Sequence, residues 1–505
     1  MRVSAARSIG ARVLTSATPA ADETGDPPTI AKELPISEHT NIVTEERPGS
    51  ATLAADATGD SFPEISTTYS RPHYLRVRTR FIISVVAGLL WAGFSAWIAL
   101  TWIDDLSRSI TPVGAWALVL GIAIIPGYLN VQLVATVMFD RPKPLHFDHD
   151  FPDITLLVAA YNEEACIRET LEYALRQDYP GGLVVAVIDD GSTDRTREIV
   201  REISAGDGRV KLIRADHGGK ALALNRGLRG VATPLVATID ADTLLMPWAL
   251  RRVVARMLES PDDTVAVAGS VMARNARDNL LTRLQQWDYL VGIASVKRAQ
   301  SLLQGTLVAQ GAFSVFQTRA VRDVGGWPDT IGEDIVLTWA LLRQDGRVGF
   351  EPTGVAFTDV PTTLGVLVRQ RRRWARGMIE GLRDHGWELI RRRKMYSHAV
   401  AVDVLFPYLD AAYAIGIPAG IVLACFGNFA IVGPLTLAVI PFNGVLAGLM
   451  VARQKKVFDS IGLKVRHKRG DIAGFVVFTL FYQLIMSPVA LSGYVAEMLR
   501  RRRVW

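Results

Sequence analysis

Cysteine is nearly missing from this 505-residue chain: only Cys166 and Cys425 occur, one amid polar sequence and one inside an apolar run. Two cysteines so placed exclude a disulfide-stapled fold and a thiolate metal centre, and both are expected to be small buried hydrophobes. The first seventy residues have no apolar stretch resembling the core of a secretory signal. Rich in Thr, Ala, Ser, Pro and Glu, residues 1–70 are expected to form a disordered cytoplasmic tail. A large excess of one charge is missing too, the net value being +6. The arginines gather beside apolar stretches, at Arg71–Arg80, Arg371–Arg376, Arg391–Lys394 and Arg500–Arg503. That placement suits anionic lipid headgroups and excludes nucleic acid as a partner.

What is present is a mixture. A positive mean hydropathy of +0.21 beside 21% charged residues describes a polar body joined to membrane segments. Phe81–Ile103 carries no charge and would span about 30 Å as a helix, the thickness of a bilayer core. A second apolar run, Val113–Phe139, follows a short polar connection, so residues 71–140 are predicted to form a transmembrane hairpin. Three further candidates, Val400–Phe426, Phe429–Val451 and Ile472–Leu499, make residues 398–505 a second membrane region. Basic segments before the first and the last span place both on the cytoplasmic side, and the central domain with them. Five spans leave the terminal arginines outside, against the same rule; a re-entrant last segment broken near Pro488 would remove the conflict.

Between the membrane groups, residues 141–360 alternate β-branched runs with helical stretches. Strands are predicted to start at Ile154, Leu183, Arg209, Pro234 and Thr264, giving an α/β domain with a mostly parallel sheet covered on both faces. In such sheets ligands sit at the carboxyl ends of the strands. There the chain reads Tyr161-Asn162-Glu163, Asp189-Asp190-Gly191-Ser192-Thr193-Asp194 and Asp240-Ala241-Asp242. Three acidic groups on one rim repel each other unless a cation or a hydrogen-bonding ligand lies among them. Asp240 and Asp242, flanking one small residue, suit a hard cation such as Mg²⁺ or Mn²⁺. Alone, such a pair is more often a capping or turn pair before the helix at Pro247.

Taken together and in order, AAYNEE, DDGSTD, HGGKALALN, DAD, GED and QRRRW, lying between membrane spans, resemble the processive inverting family 2 glycosyltransferases of the GT-A fold. Poly-β-1,6-N-acetylglucosamine synthases come first among these, then hyaluronan, chitin-oligosaccharide and cellulose synthases. The resemblance implies that Tyr161, Glu163, Asp189 and Asp190 hold a uridine, that Lys220 faces the diphosphate, and that Asp240 and Asp242 place the metal. It assigns the base to Asp334, although Gly332 stands where many relatives carry Thr. Capping of the helix that follows is the plainer explanation of Glu333-Asp334. The motif Gln370, Arg373 and Trp374 would hold the growing end, on an amphipathic interfacial segment, residues 361–397, whose apolar face is expected to be Leu364, Leu367, Trp374, Met378 and Leu382. Ala309–Phe313 stands where relatives place an acceptor loop.

The implied partners are a UDP-sugar, with UDP-N-acetylglucosamine favoured, a growing polysaccharide and the bilayer of an inner membrane. No cyclic-dinucleotide receptor domain fits after QRRRW, which leaves room for a small membrane or regulatory subunit. Asp403 and Asp410, seven apart in an apolar run, share a helix face and suit a wet path through the membrane, although Asp403 also suits a helix start. Two other functions stay open on sequence: single-sugar transfer to a polyprenyl phosphate, and a non-enzymatic membrane scaffold or sugar-binding protein.

Overall fold

The computed structural model describes residues 75–140, 144–432, 434–463 and 469–500. The expected tail, residues 1–70, and Arg501–Arg503 lie outside the described residues.

Eight strands form one sheet: β1 Ile154–Ala160, β2 Leu183–Asp190, β3 Val210–Ala215, β4 Leu235–Asp240, β5 Leu244–Leu245, β6 Thr264–Ala273, β7 Phe313–Gln317 and β8 Arg347–Thr358. Their spatial order is β3-β2-β1-β4-β7-β6-β8-β5. The five strands expected from sequence all form. β1 to β4 run parallel, whereas β7 enters antiparallel between β4 and β6. Alternation along the strands divides the apolar side chains between two cores. Leu156, Val158, Val187 and Ile239 enter one, with the helices Ile167–Leu175 and Ala249–Leu258; Leu157, Ile188 and Val236 enter the other, with Lys220–Arg229 and Glu333–Arg343. Burial on both faces is why these strands read as near-continuous apolar runs.

Register brings the strand ends level. Ala160 of β1 pairs with Asp189 of β2, and Ala159 pairs with Asp240 of β4. The acidic motifs therefore share one rim. Because β7 runs the other way, its start is at that rim, and Phe313 pairs with Ile239. The loop before it, Gln310–Ala312, thereby arrives beside Asp240.

Among the described residues four helices are long and apolar enough to cross a membrane: Val77–Ser107, Pro112–Met138, Met395–Cys425 and Gly470–Met498. The first two pack through small residues, Gly88 against the Tyr128 ring and Gly127 against Trp91. The segment expected to span from Phe429 lies largely in the helix Pro434–Asp459, which is not among the four. Helix Gln483–Met498 continues through Pro488, so the break suggested there does not form.

Candidate active site

The YNEE turn and the DDGSTD loop are laced together. Asn162 sits at a φ of 57°, a conformation asparagine tolerates, and its side-chain oxygen accepts from the Thr193 amide at 2.9 Å. The Glu163 amide donates to Thr196 Oγ1 at 2.7 Å. Tyr161, 43% exposed, stacks on His217 with ring centroids 4.1 Å apart. Burial pushes the Glu163 carboxyl up, and Asp240 and Asp194 add to it against a hydrogen bond from the Cys166 thiol. Cys166 is thus only half-buried and occupied, and Cys425 is exposed, so neither is the buried apolar filler expected of it.

The two aspartates of DDGSTD do different work. Asp189 is fully buried, accepting from the Ser192 amide and from Arg197. Burial raises its proton affinity, but these bonds outweigh it and hold the carboxyl below its usual range. Asp190 reaches across the rim instead. Its two oxygens accept from the amides of Gly218 and Gly219 at 3.0 and 2.9 Å, and His217 Nδ1 lies 3.1 Å from it. This carboxylate shapes the HGGK loop, in which Gly219 at φ 93° turns the chain into the helix headed by Lys220.

Lys220 is the hub of the rim. Its ammonium pairs with Asp240 and lies 3.6 Å from Glu333. Burial disfavours its charge, yet Asp240, Glu333 and Asp334 together hold its pKa above the ordinary value. Gly311 makes room for the pair: a Cβ there would stand 2.6 Å from the Lys220 nitrogen. Asp242 accepts from Thr358 Oγ1 at 3.1 Å, and burial first, then Asp240, pushes its carboxyl up. A carboxylate short of positive charge beside a second one fits a hard cation. Among the described residues no group of three or more His, Cys, Asp or Glu is arranged to hold a metal, so Asp240 and Asp242 would need ligand oxygens to complete a coordination shell.

Glu333 and Asp334 open the helix Glu333–Arg343. Burial raises the Glu333 carboxyl against the opposing pull of Lys220. Asp334, inside the first turn and not at its cap, accepts from the Ile335 amide at 2.8 Å, and its other oxygen accepts from the Gly311 amide at 3.3 Å. Gly332 meets Gly377 of the helix Leu364–Gly381 back to back; a Cβ on Gly332 would stand 2.5 Å from the Gly377 Cα. The Gly332 amide also donates to Glu380 at 3.0 Å on that helix. This close contact carries the QRRRW segment onto the rim.

Along Leu364–Gly381 the expected face divides. Leu367 is buried, but Leu364 and Trp374 are exposed, and the buried face is Leu367, Ala375, Arg376, Gly377 and Glu380. Backbone proximity, more than hydrophobicity, governs this packing: Gly493 of the last helix lies against Arg372 and Ala375, and Arg376 bonds Glu497 at 3.0 Å. Arg371, not Arg373, lies over the Trp374 ring, 4.0 Å from its centroid, and pairs with Asp288 at 2.8 Å. Arg373 is exposed, and Gln370 Oε1 is buried without a hydrogen-bond partner. Beside them Tyr289, absent from the sequence reading, is pushed up to about 12 by burial; Arg371 opposes the shift, while Asp288, Asp242 and Asp240 add to it. The Arg371 guanidinium carbon lies 5.9 Å from the centroid of that ring. Lys297, also unforeseen, lies beneath the Gln310 loop. On the helix Met395–Cys425, Asp410 accepts from Gln483, Ser487 and Tyr494 of the helix Gln483–Met498, whereas Asp403 has no such bond among the described residues.

A family description, "Glycosyltransferase like family 2", matches residues 152–377, which contain the whole of this rim. Over those residues the chain is similar to family 2 glycosyltransferases. Curated relatives include a poly-β-1,6-N-acetyl-D-glucosamine synthase of Staphylococcus epidermidis, 34% identical over 243 residues, 48% of this chain and 58% of the relative. Its counterpart in Staphylococcus aureus (strain COL) is 35% identical over 225 residues, 44% of this chain and 54% of the relative. The chain thus spans little more than half the length of these curated relatives. A mannosyltransferase of Pyrobaculum calidifontis, solved with GDP-Man and Mn²⁺, superposes with a TM-score of 0.51 at 20% identity, covering 79% of this chain and 100% of that one. That likeness shows the GT-A fold.

Proposed function

We propose that this chain is a processive, inverting glycosyltransferase that polymerises UDP-N-acetylglucosamine into a β-linked polysaccharide and passes it into its membrane helices. The observation that carries the reading is the position of Lys220, which joins Asp240 of DAD to Glu333 of GED. A single cation between the metal-side and base-side carboxylates marks where a diphosphate leaving group would meet an acceptor. The names of the curated relatives support N-acetylglucosamine, and the Mn²⁺ of the structural neighbour supports a divalent ion.

In this reading Tyr161 offers its exposed ring to the uracil, with Glu163, Asp189 and Asp190 shaping the uridine site. Asp240 and Asp242 would hold Mg²⁺ or Mn²⁺, which when bound supplies charge stabilisation to the departing diphosphate. Lys220 adds a point charge there. Asp334 takes the proton of the acceptor hydroxyl as it attacks the anomeric carbon, and direct displacement inverts that carbon. Trp374, backed by Arg371, stacks on the sugar at the growing end, with Gln370 and Arg373 alongside. The domain faces the cytoplasm of an inner membrane, and the bonded Asp410 lies among the helices that would receive the product. A small membrane or regulatory subunit remains compatible with this arrangement.

Asp334→Asn tests the reading. Polymer made from labelled UDP-N-acetylglucosamine should fall at least 10³-fold, on the order of a lost general base and its charge, while UDP affinity stays within about twofold. Comparable polymer from the variant would remove the base. A single glycolipid band from the wild type on a gel would remove processivity.

A further inference from the structure

Beneath the acceptor loop lies a lysine that the reading above does not use. Lys297, on the helix Ser295–Leu302, is 7% exposed, and its ammonium donates to the Val308 carbonyl at 3.0 Å and to the side-chain oxygen of Gln310. Gln310 in turn donates to the Gly269 carbonyl of β6 at 2.8 Å. The same loop is tied to the Asp334 helix at two points. The Ala309 amide donates to Thr338 Oγ1 at 2.8 Å, whose hydroxyl donates to the Asp334 carbonyl at 2.6 Å, and the Gly311 amide donates to the Asp334 carboxylate. Every bond from the lysine therefore ends on a loop whose next residue touches the base.

The two cations near this loop are engaged differently. Lys220 is matched by Asp240 and Glu333, whereas the Lys297 nitrogen is bonded to two oxygens of the loop. Burial lowers the pKa of Lys297 to about 7, with Asp334 opposing the shift, and the neutral amine still carries two N–H donors for those bonds.

We infer that Lys297 is a positioning residue for the transfer: its two bonds hold the Val308–Gly311 loop against the helix that carries Asp334. The inference rests on Asp334 as the base. Its test is the split between kcat and KM of initial polymerisation, with UDP-N-acetylglucosamine and Mn²⁺, in the full-length membrane protein. Lys297→Met removes both bonds. Gln310→Met, of similar size, removes the bond to the loop side chain and leaves the one to Val308.

Both variants should bind UDP within about twofold of wild type. Lys297→Met should lower kcat about tenfold with KM for the donor within about twofold, the signature of a displaced reacting group, and Gln310→Met should show the same split at smaller size. An unchanged kcat, or a loss carried by KM alone, would overturn the inference. Should Lys297→Met lose UDP binding through misfolding, Gln310→Met decides alone, and an unchanged kcat there overturns the inference equally. Asp334→Asn separates the two layers: if it still polymerises, the base assignment fails first; if it is inactive while kcat of both other variants is unchanged, only the role of Lys297 fails.

Discussion

The contact between Gly332 and Gly377 allows a prediction whose size can be worked out. A methyl carbon on Gly377 would stand 2.6 Å from the Cα of Gly332. Carbon atoms rest about 3.5–4.0 Å apart, so Gly377→Ala must part the two helices by roughly 1 Å. The obstructing atom is backbone, so no rotamer change relieves it. Overpacking of this kind costs about 1–3 kcal/mol. Its functional effect should be larger, because Gly332 lies two residues before Asp334 and Gly377 three residues after Trp374. A shift of about 1 Å between reacting groups lowers rates by about 10²-fold. Lys220 and Asp240 lie on other elements, so UDP binding should change by less than about threefold. Polymer yield and UDP affinity, measured on the same preparation, give the two quantities. Gly332→Thr should do no better, since its Cβ meets the Gly377 Cα at 2.5 Å. Polymerisation within about threefold of wild type in Gly377→Ala would refute the claim that this contact sets the geometry of transfer.

Asp190→Ala removes the acceptor of the Gly218 and Gly219 amides; with hydrogen bonds to a charged group contributing about 1.5–3 kcal/mol each, UDP affinity measured calorimetrically should fall at least tenfold. Asp242→Asn should abolish the rise in thermal stability that Mn²⁺ gives in the presence of UDP. In wild type that rise should be greater at pH 8 than at pH 6, because burial and Asp240 favour the protonated carboxyl that the cation must displace. Stability should also follow Lys297, pushed down to about 7 by burial from an ordinary 10.5. Between those values the unfolded chain binds the extra proton, so this residue's contribution to stability rises with pH from 7 to 10.5, by at most about 1.4 kcal/mol per unit. The stability of wild type relative to Lys297→Met should therefore rise with pH, and a constant offset would contradict the shift.

The rim was legible because a parallel sheet leaves few choices. Apolar runs of strand length separated by helix-length connections imply parallel order, and parallel order sends the polar residue closing each run to one edge. Hence Tyr161, Glu163, Asp189, Asp190 and Asp240 were found together without coordinates. β7 escaped that logic: AFSVFQ is short, and nothing local states that it pairs antiparallel with β4 and delivers Gly311 to Asp240. Lys297 carries no local signal either. It precedes another cationic residue, Arg298, on a short helix, and only tertiary contacts bury it. How the Leu364–Gly381 helix packs on its neighbours carries no local signal either, since glycine and alanine there admit backbone contact that hydrophobic periodicity does not register.

By itself, then, the sequence determined which segments are apolar enough for a membrane, which runs become strands, and which acidic and basic residues close them, because each depends on periodicity and composition within a few residues. Only the tertiary structure decided which partner each charge takes. Asp190 turned to the HGGK loop, Lys220 bridged Asp240 to Glu333, and Arg371 rather than Arg373 covered Trp374. Those pairings join residues far apart along the chain, and their strength depends on burial and on distances of a few ångströms, quantities that exist only after the helices have packed.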